Sequence, residues 1–341
     1  MPTAAPVKLA QPVAVIGAGS WGTALAIQFA RSGRATRLWG RNAKRTAEMQ
    51  QARRNVQYLQ GAAFPETLVA ITSLGDALSG ASDVVISVPS HAFRATLLQV
   101  KPLLASAARL AWATKGFELD TGLLPHQVAA QVFGVEQPTA VLSGPTFASE
   151  VGAGLPTALT IASTDVVFAT ELAESLSTPN FRAYTSADVI GVEVGGAVKN
   201  VLAVGAGLSD GLGFGANTRI ALITRGLAEL TRLGIALGAQ RETFMGLAAL
   251  GDVVLTCTDN QSRNRRFGLL LAEGQNAEMA MRQIGQVVEG YLAARALRTV
   301  AQRLEVPMPI CEGIYQTLYE GVAAREVVRG LMQRPIKAET D

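Results

Sequence analysis

The stretch from Gly191 to Gly215, "GVEVGGAVKNVLAVGAGLSDGLGFG", is built mostly of glycine, alanine, valine and leucine, and Lys199 stands in its middle. Lysine is almost never fully buried without a partner, because stripping water from an ammonium is costly. A lysine in such a run either snorkels its head to solvent or acts as a proton donor and acceptor. Gly195 and Gly196, one turn earlier, would let another backbone or a ligand come close. A second candidate is the polar run Asp259-Asn260-Gln261-Ser262, which follows Asp252 and Thr256 and leads into Arg263 and Asn264. Ser262 is expected to cap a helix beginning near Arg263, gathering N–H groups, a hydroxyl, a guanidinium and an amide around one anion. The alternative is a capped surface helix with a basic first turn, although arginine there opposes the helix dipole unless an anion is present.

These groups need a frame, and the first half of the chain supplies one. "PVAVIGAGSWGTALAIQFARSG" reads as a strand, a turn Gly17-Ala18-Gly19-Ser20-Trp21-Gly22, and a helix ending at Gly33. G-x-G-x-x-G alone is a weak signal, but between a strand and a helix it marks a dinucleotide site. Gly17 permits the tight turn, Gly19 lets backbone approach a pyrophosphate, and Gly22 lets helix and strand pack closely. The phosphates would sit at the positive end of the helix.

The next strand, "ATRLWGRN", bears on the choice of cofactor. NAD sites usually carry an acidic residue about 20 positions after the glycine motif, to bind the ribose 2′-hydroxyl. None ends this strand; Arg41 does, and its guanidinium suits a 2′-phosphate. The sequence thus favours NADP(H) without excluding NAD(H), and a plain surface arginine remains the alternative.

Further runs alternate. "SDVVISVPS" reads as a buried strand and "HAFRATLLQVKPLL" as a helix, while "ARLAWATKG" and "TAVLSGPT" read as strands. This pattern predicts an α/β fold with a Rossmann-type, doubly wound parallel sheet and ligands at the strands' carboxyl ends. Lys115, Gly144 and Thr146 stand just past such ends, though position alone leaves Lys115 equally a solvent-facing loop lysine. "LPTALTIAS" and "FRAYTS" are expected to finish the sheet, with antiparallel edges. After about Asp188 the spacing becomes helical. The expected division is residues 1–187, dinucleotide-binding, and 188–341, a mostly helical substrate-binding domain, with catalysis in the cleft between them.

Composition narrows the class. Of 341 residues 49% are hydrophobic and 17% charged, as in a globular protein with a generous core. Lys plus Arg total 30 against 27 Asp plus Glu, a formal charge of +3, too mild to imply a nucleic-acid surface. Cys257 and Cys311 cannot build a disulfide framework, and His91 and His126 lack a metal-spaced cluster. No metal is expected. The N-terminus reads as a short frayed tail before the first strand, not a signal peptide. No run of about 18 uninterrupted apolar residues suggests a membrane span, and the expected location is the cytoplasm.

With both halves read, the chain resembles the bacterial NAD(P)-dependent glycerol-3-phosphate dehydrogenases. The resemblance runs from "VIGAGSWGTALA" through "VPSHAFR", "ATKG", "LSGPTFA", "GVEVGGAVKNV", "SDGLGFG", "GDVVLTCT" and "SRNRRFG" to "VVEGY" and "MPI". "GGAVKN" and "TCTDNQSRNRRFG" are specific to that family, whereas a generic Rossmann protein would share only the first segment. The resemblance implies reversible hydride transfer between dihydroxyacetone phosphate and sn-glycerol 3-phosphate, feeding phospholipid synthesis, with NADP(H) or NAD(H) as cofactor and a homodimer through the helical domain.

Carried over by motif, Lys199 corresponds to the catalytic proton donor and acceptor, with Lys115 and Asp252 as its companions. Gly144, Thr146, Ser262, Arg263 and Asn264 match substrate-contacting positions. Ser20, Trp21, Arg41, Lys115, Ala148, Arg263, Val287 and Glu289 match dinucleotide contacts. An exposed lysine with a pKa near 10.4 is a reluctant acid at neutral pH, but desolvation and a neighbouring cation both lower it. A glycine-walled crevice would desolvate Lys199, Lys115 would supply the second charge, and Asp252 would orient the ammonium. The competing readings are a related two-domain hydroxyacid dehydrogenase and a non-catalytic NAD(P)-binding protein.

Overall fold

A computed structural model of the chain describes residues 11–336, 338 and 339, so most of the expected N-terminal tail lies outside the described residues. The strands are β1 (Val13–Ile16), β2 (Thr36–Trp39), β3 (Arg54–Asn55), β4 (Leu59–Ala63), β5 (Leu68–Ile71), β6 (Asp83–Ile86), β7 (Arg109–Trp112), β8 (Thr139–Ser143), β9 (Thr157–Ala162) and β10 (Phe181–Ser186). Eight of them form one sheet in the order β10-β9-β8-β7-β6-β1-β2-β5, and β3 and β4 form a separate hairpin. β1 pairs in parallel with β2 on one side and β6 on the other, so the strand order reverses at β1. That reversal opens a crevice at the carboxyl ends, where ligands of such sheets bind.

The register aligns those ends. Ile16 pairs with Trp39 and with Ile86, and Ile86 with Trp112. Val13–Ile16 and Asp83–Ile86 are wholly buried, as expected of strands covered on both faces. The one antiparallel pairing in the sheet is β8 with β9, inside it. β10, at the edge, runs parallel to β9, so the expected antiparallel edge is one internal reversal.

The helices around the sheet are α1 (Ser20–Arg31), α2 (Ala43–Ala52), α3 (Leu74–Leu78), α4 (Ser90–Val100), α5 (Pro125–Phe133), α6 (Ala148–Ala153) and α7 (Val166–Leu176). α4 is shorter than "HAFRATLLQVKPLL" suggests. Residues Lys101–Leu103 tighten into a 3₁₀ turn, because Pro102 has no N–H to continue the ladder.

Beyond the sheet come α8 (Val189–Gly211), α9 (Gly215–Ala236), α10 (Asp252–Thr258), α11 (Arg263–Ala272), α12 (Ala277–Ile284), α13 (Glu289–Arg303), α14 (Pro309–Tyr315) and α15 (Ala324–Met332). α8 is the axis of this half. All its residues are buried except Ile190, Lys199, Asp210 and Gly211. By length and composition it could cross a membrane, but 83% of its apolar window is buried inside the protein. It is a core helix. A Cβ on Gly207 would lie 2.0 Å from the Arg265 carbonyl oxygen, and one on Gly268 would lie 2.2 Å from that of Val204. Only glycines allow α8 and α11 to cross this closely.

α8 also reaches into the sheet's core. Val189 and Val192 pack with Ile16, Ile86 and Trp112, joined by Ala248. Beside them the buried Glu193 accepts from Trp112 Nε1 at 2.9 Å and from the His126 backbone N–H at 3.0 Å, and its other oxygen lies 2.6 Å from His126 Nδ1. Burial pushes this carboxyl up from the usual range, against the opposing pull of His126. The contact fixes α8, and Lys199 with it, against the sheet.

Candidate active site

A cleft of about 1630 Å³ runs from the glycine turn, along the strand ends, to α8, α11 and the start of α13. This exceeds the ~300–1,000 Å³ of common small-molecule pockets and leaves room for a dinucleotide and a small substrate together.

At the glycine turn, the three glycines meet different surroundings. Gly17 has φ +122°, and a Cβ there would lie 2.3 Å from the Ser87 carbonyl oxygen. One on Gly22 would lie 1.9 Å from the Gly17 carbonyl oxygen, whereas one on Gly19 would meet nothing within 4 Å. No side chain caps α1 at Gly19, so its first N–H groups remain free for an anion. Trp21, on the same wall, has a buried Nε1 with no partner among the described residues. These features fit a dinucleotide pyrophosphate. Ser20, Arg41, Ala148, Val287 and Glu289 line the same cleft.

Lys199 lies deeper, on the α8 wall. Its Nζ donates to Asp252 Oδ1 at 2.5 Å and to Thr256 Oγ1 at 3.2 Å. An ammonium has three N–H groups, so one is left at the cleft wall. Lys115, just past β7, donates to the other Asp252 oxygen at 2.6 Å and more weakly to the Gly144 carbonyl at 3.5 Å. A Cβ on Gly196 would stand 3.2 Å from Lys115 Cγ, so the small residue makes room for this stem. Side-chain exposure is 12% for Lys199, 13% for Lys115 and 1% for Asp252.

The electrostatics follow from that packing. Burial lowers the Lys199 pKa to about 8; Asp252 pulls it back up and the Lys115 charge pushes it further down. Burial also works to raise Asp252, but the two ammoniums outweigh it and hold the carboxyl below its ordinary value. A π-helical turn, Leu247–Gly251, delivers Asp252 to the first position of α10. A Cβ on Gly195 would stand 2.5 Å from the Ala248 carbonyl oxygen of that turn.

The anion-binding candidates gather at the start of α11. Ser262 is the N-cap, its Oγ accepting from the Arg265 N–H at 3.2 Å. Arg263 Nη1 donates to Gln286 Oε1 at 2.9 Å. Asn264 is more occupied than its sequence position suggests: Nδ2 donates to Asn200 Oδ1, and Oδ1 accepts from the Gly290 N–H, each at 2.9 Å. One amide N–H remains to it. Thr146, Ser262, Arg263 and Asn264 line the cleft, but Gly144 and Asp252 do not. Both stand one layer back, Gly144 as a carbonyl acceptor for Lys115 and Thr146. Asp252 meets the cleft through the two ammoniums that it holds.

Asn200, Thr256 and Gln286 were not singled out from the sequence as site residues, yet they line the cleft too. Two had a signal. Asn200 is an amide on an apolar helix beside Lys199, and Thr256 lies one helical turn after Asp252.

Two family models cover the described frame. The model for the NAD-dependent glycerol-3-phosphate dehydrogenase N-terminus matches residues 12–169, and that for its C-terminus matches residues 188–329. The chain belongs to the NAD-dependent glycerol-3-phosphate dehydrogenase family. It is 57% identical over 328 residues to a glycerol-3-phosphate dehydrogenase [NAD(P)+] of Idiomarina loihiensis, covering 96% of this chain and 98% of that one. A Klebsiella pneumoniae protein of the same name is 56% identical, with 95% and 96% coverage. Among solved structures, glycerol-3-phosphate dehydrogenase from Coxiella burnetii superposes with a TM-score of 0.92 at 46% identity, covering 95% of this chain and 99% of that one. As a member of this glycerol-3-phosphate dehydrogenase family the chain is an NAD(P)-dependent oxidoreductase, and neither the hydroxyacid-dehydrogenase nor the non-catalytic reading is favoured.

Proposed function

We propose that the enzyme interconverts dihydroxyacetone phosphate and sn-glycerol 3-phosphate, with Lys199 as the proton donor in reduction and the acceptor in oxidation. The observation that carries this reading is the buried Lys199 ammonium on the cleft wall, with a pKa lowered to about 8. The Gly17–Gly22 turn and the free first N–H groups of α1 would hold the dinucleotide, whose reduced nicotinamide would supply hydride to the ketone carbon. Negative charge then grows on the carbonyl oxygen, and Lys199 gives that oxygen a proton, so that the ketone becomes an alcohol. Lys115 adds positive charge beside the oxygen, and Asp252 fixes both ammoniums. Arg263, Ser262, Asn264 and the first N–H groups of α11 hold the phosphate, using binding energy remote from the reacting carbon to orient it.

Arg41 supports a preference for NADP(H), since β2 ends without a carboxylate and Arg41 lines the cleft beyond it. The division into residues 1–187 and 188–341 is supported by the last strand ending at Ser186 and by Asp188 capping α8. A homodimer through the helical domain and a cytoplasmic location rest on the family resemblance; light scattering and cell fractionation test them.

The deciding experiment is steady-state kinetics with dihydroxyacetone phosphate, using NADPH and NADH side by side, on the wild type and K199A. K199A should lose about 10²- to 10⁴-fold in kcat, the usual worth of general acid catalysis, while binding NADPH normally. Wild-type turnover by K199A would remove Lys199 from this role.

A further inference from the structure

The β3–β4 hairpin lies outside the main sheet, and its Asn55 is only 1% exposed. The orientation of this buried amide is fixed by its neighbours. Oδ1 accepts from the Tyr58 N–H at 3.1 Å within the hairpin turn. Nδ2 must then face the other way, where it donates to the Ala18 carbonyl at 3.0 Å and to Thr23 Oγ1 at 2.8 Å. Ala18 is the middle of the Gly17–Gly19 turn, and Thr23 lies in the first turn of α1.

A peptide unit is planar, with C=O and N–H on opposite sides. Drawing the Ala18 carbonyl toward Asn55 therefore turns the Gly19 N–H away from the hairpin. Gly19 cannot hold that peptide by side-chain packing, and no side chain caps α1. An amide clamp from outside the turn substitutes for both.

We propose that Asn55 is a positioning residue for the dinucleotide: it fixes the Ala18–Gly19 peptide so that the N-terminus of α1 presents its N–H groups to the pyrophosphate. The inference rests on the cofactor reading given above. Asn55 acts through the turn, so its loss should weaken cofactor binding while leaving the substrate's own site intact.

The test is Asn55→Asp in the full chain. Aspartate keeps the shape and the acceptor for Tyr58, but sets a carboxylate oxygen against the Ala18 carbonyl. NADPH titration by nicotinamide fluorescence should give a Kd raised roughly 10-fold or more, the scale of one lost buried hydrogen bond. The KM for dihydroxyacetone phosphate at saturating NADPH should stay within about twofold. An NADPH Kd within twofold of wild type, or an equal rise in both constants, overturns the inference. Should N55D fail to fold, Thr23→Val is read in its place. It removes the other acceptor of the same amide and should raise the NADPH Kd about threefold; an unchanged Kd overturns the inference. Absence of NADPH binding by the wild type would instead sink the cofactor reading beneath it.

Discussion

Lys199 and Lys115 share one carboxylate, each taking a different oxygen of Asp252 at 2.5 and 2.6 Å. Two cations on one buried anion leave a net positive charge at the cleft wall, where a phosphate ester and a nascent alkoxide are to be held. The arrangement also sets the acidity of Lys199 between that of a free lysine and that of one with no counter-charge.

This acidity has a pH signature. Reduction needs the ammonium form of Lys199, and oxidation needs the free amine. With a pKa lowered to about 8, kcat/KM for dihydroxyacetone phosphate should hold below that pH and fall tenfold per unit above it. For glycerol 3-phosphate oxidation, kcat/KM should rise through the same region and then level off. Matched profiles in the two directions check this, and a reduction rate flat to pH 10 would contradict it.

Asp252→Asn removes the shared charge with little change of shape. The two ammoniums then repel without compensation, and Lys199 loses its largest upward influence. The knee of the reduction profile should move at least about one unit lower, with an about fivefold or greater loss of rate at pH 8. The knee position is the discriminating readout, because a merely misfolded variant would lose amplitude without shifting it.

Arg263→Ala tests the anion site. A hydrogen bond to a charged group contributes about 1.5–3 kcal/mol, so the KM for dihydroxyacetone phosphate should rise about 10- to 100-fold. The KM should depend less on ionic strength than in the wild type. An unchanged KM would move the phosphate elsewhere in the cleft.

Glu193→Ala should act on stability first. It leaves Trp112 Nε1 and the His126 N–H without their buried acceptor, and each such orphan costs about 1–3 kcal/mol. Thermal unfolding should begin several degrees lower, with NADPH affinity little altered in the protein that remains folded.

Much of this was legible in residue types. The glycine turn could be read because Gly17 and Gly22 answer different steric demands, and those demands follow from a strand meeting a helix. Lys199 stood out because nothing else in its run is charged for several residues. Its partnership with Asp252 was not legible from spacing, since 53 positions separate the two and Lys115 is 137 from Asp252; only the family motif joined them. The occupation of Asn264 by Asn200 and Gly290 was equally invisible, because an amide's partners depend on how α8, α11 and α13 converge. The contact of Lys115 with the Gly144 carbonyl belongs to the same class. So does the antiparallel step between β8 and β9, because strand direction leaves no mark in alternation.

The entry of Val189, Val192 and Ala248 beneath the sheet, with Glu193 on the Trp112 indole, carries a consequence for how the molecule comes apart. On that face α3, α4 and α5 cover most of the sheet, and Val189, Val192 and Ala248 complete the cover. Loosening either half uncovers this shared apolar patch, so the chain should melt as one cooperative body. A fragment ending at residue 187 would keep the nucleotide turn but bare the apolar patch that Val189, Val192 and Ala248 cover, and such a piece should be prone to aggregate.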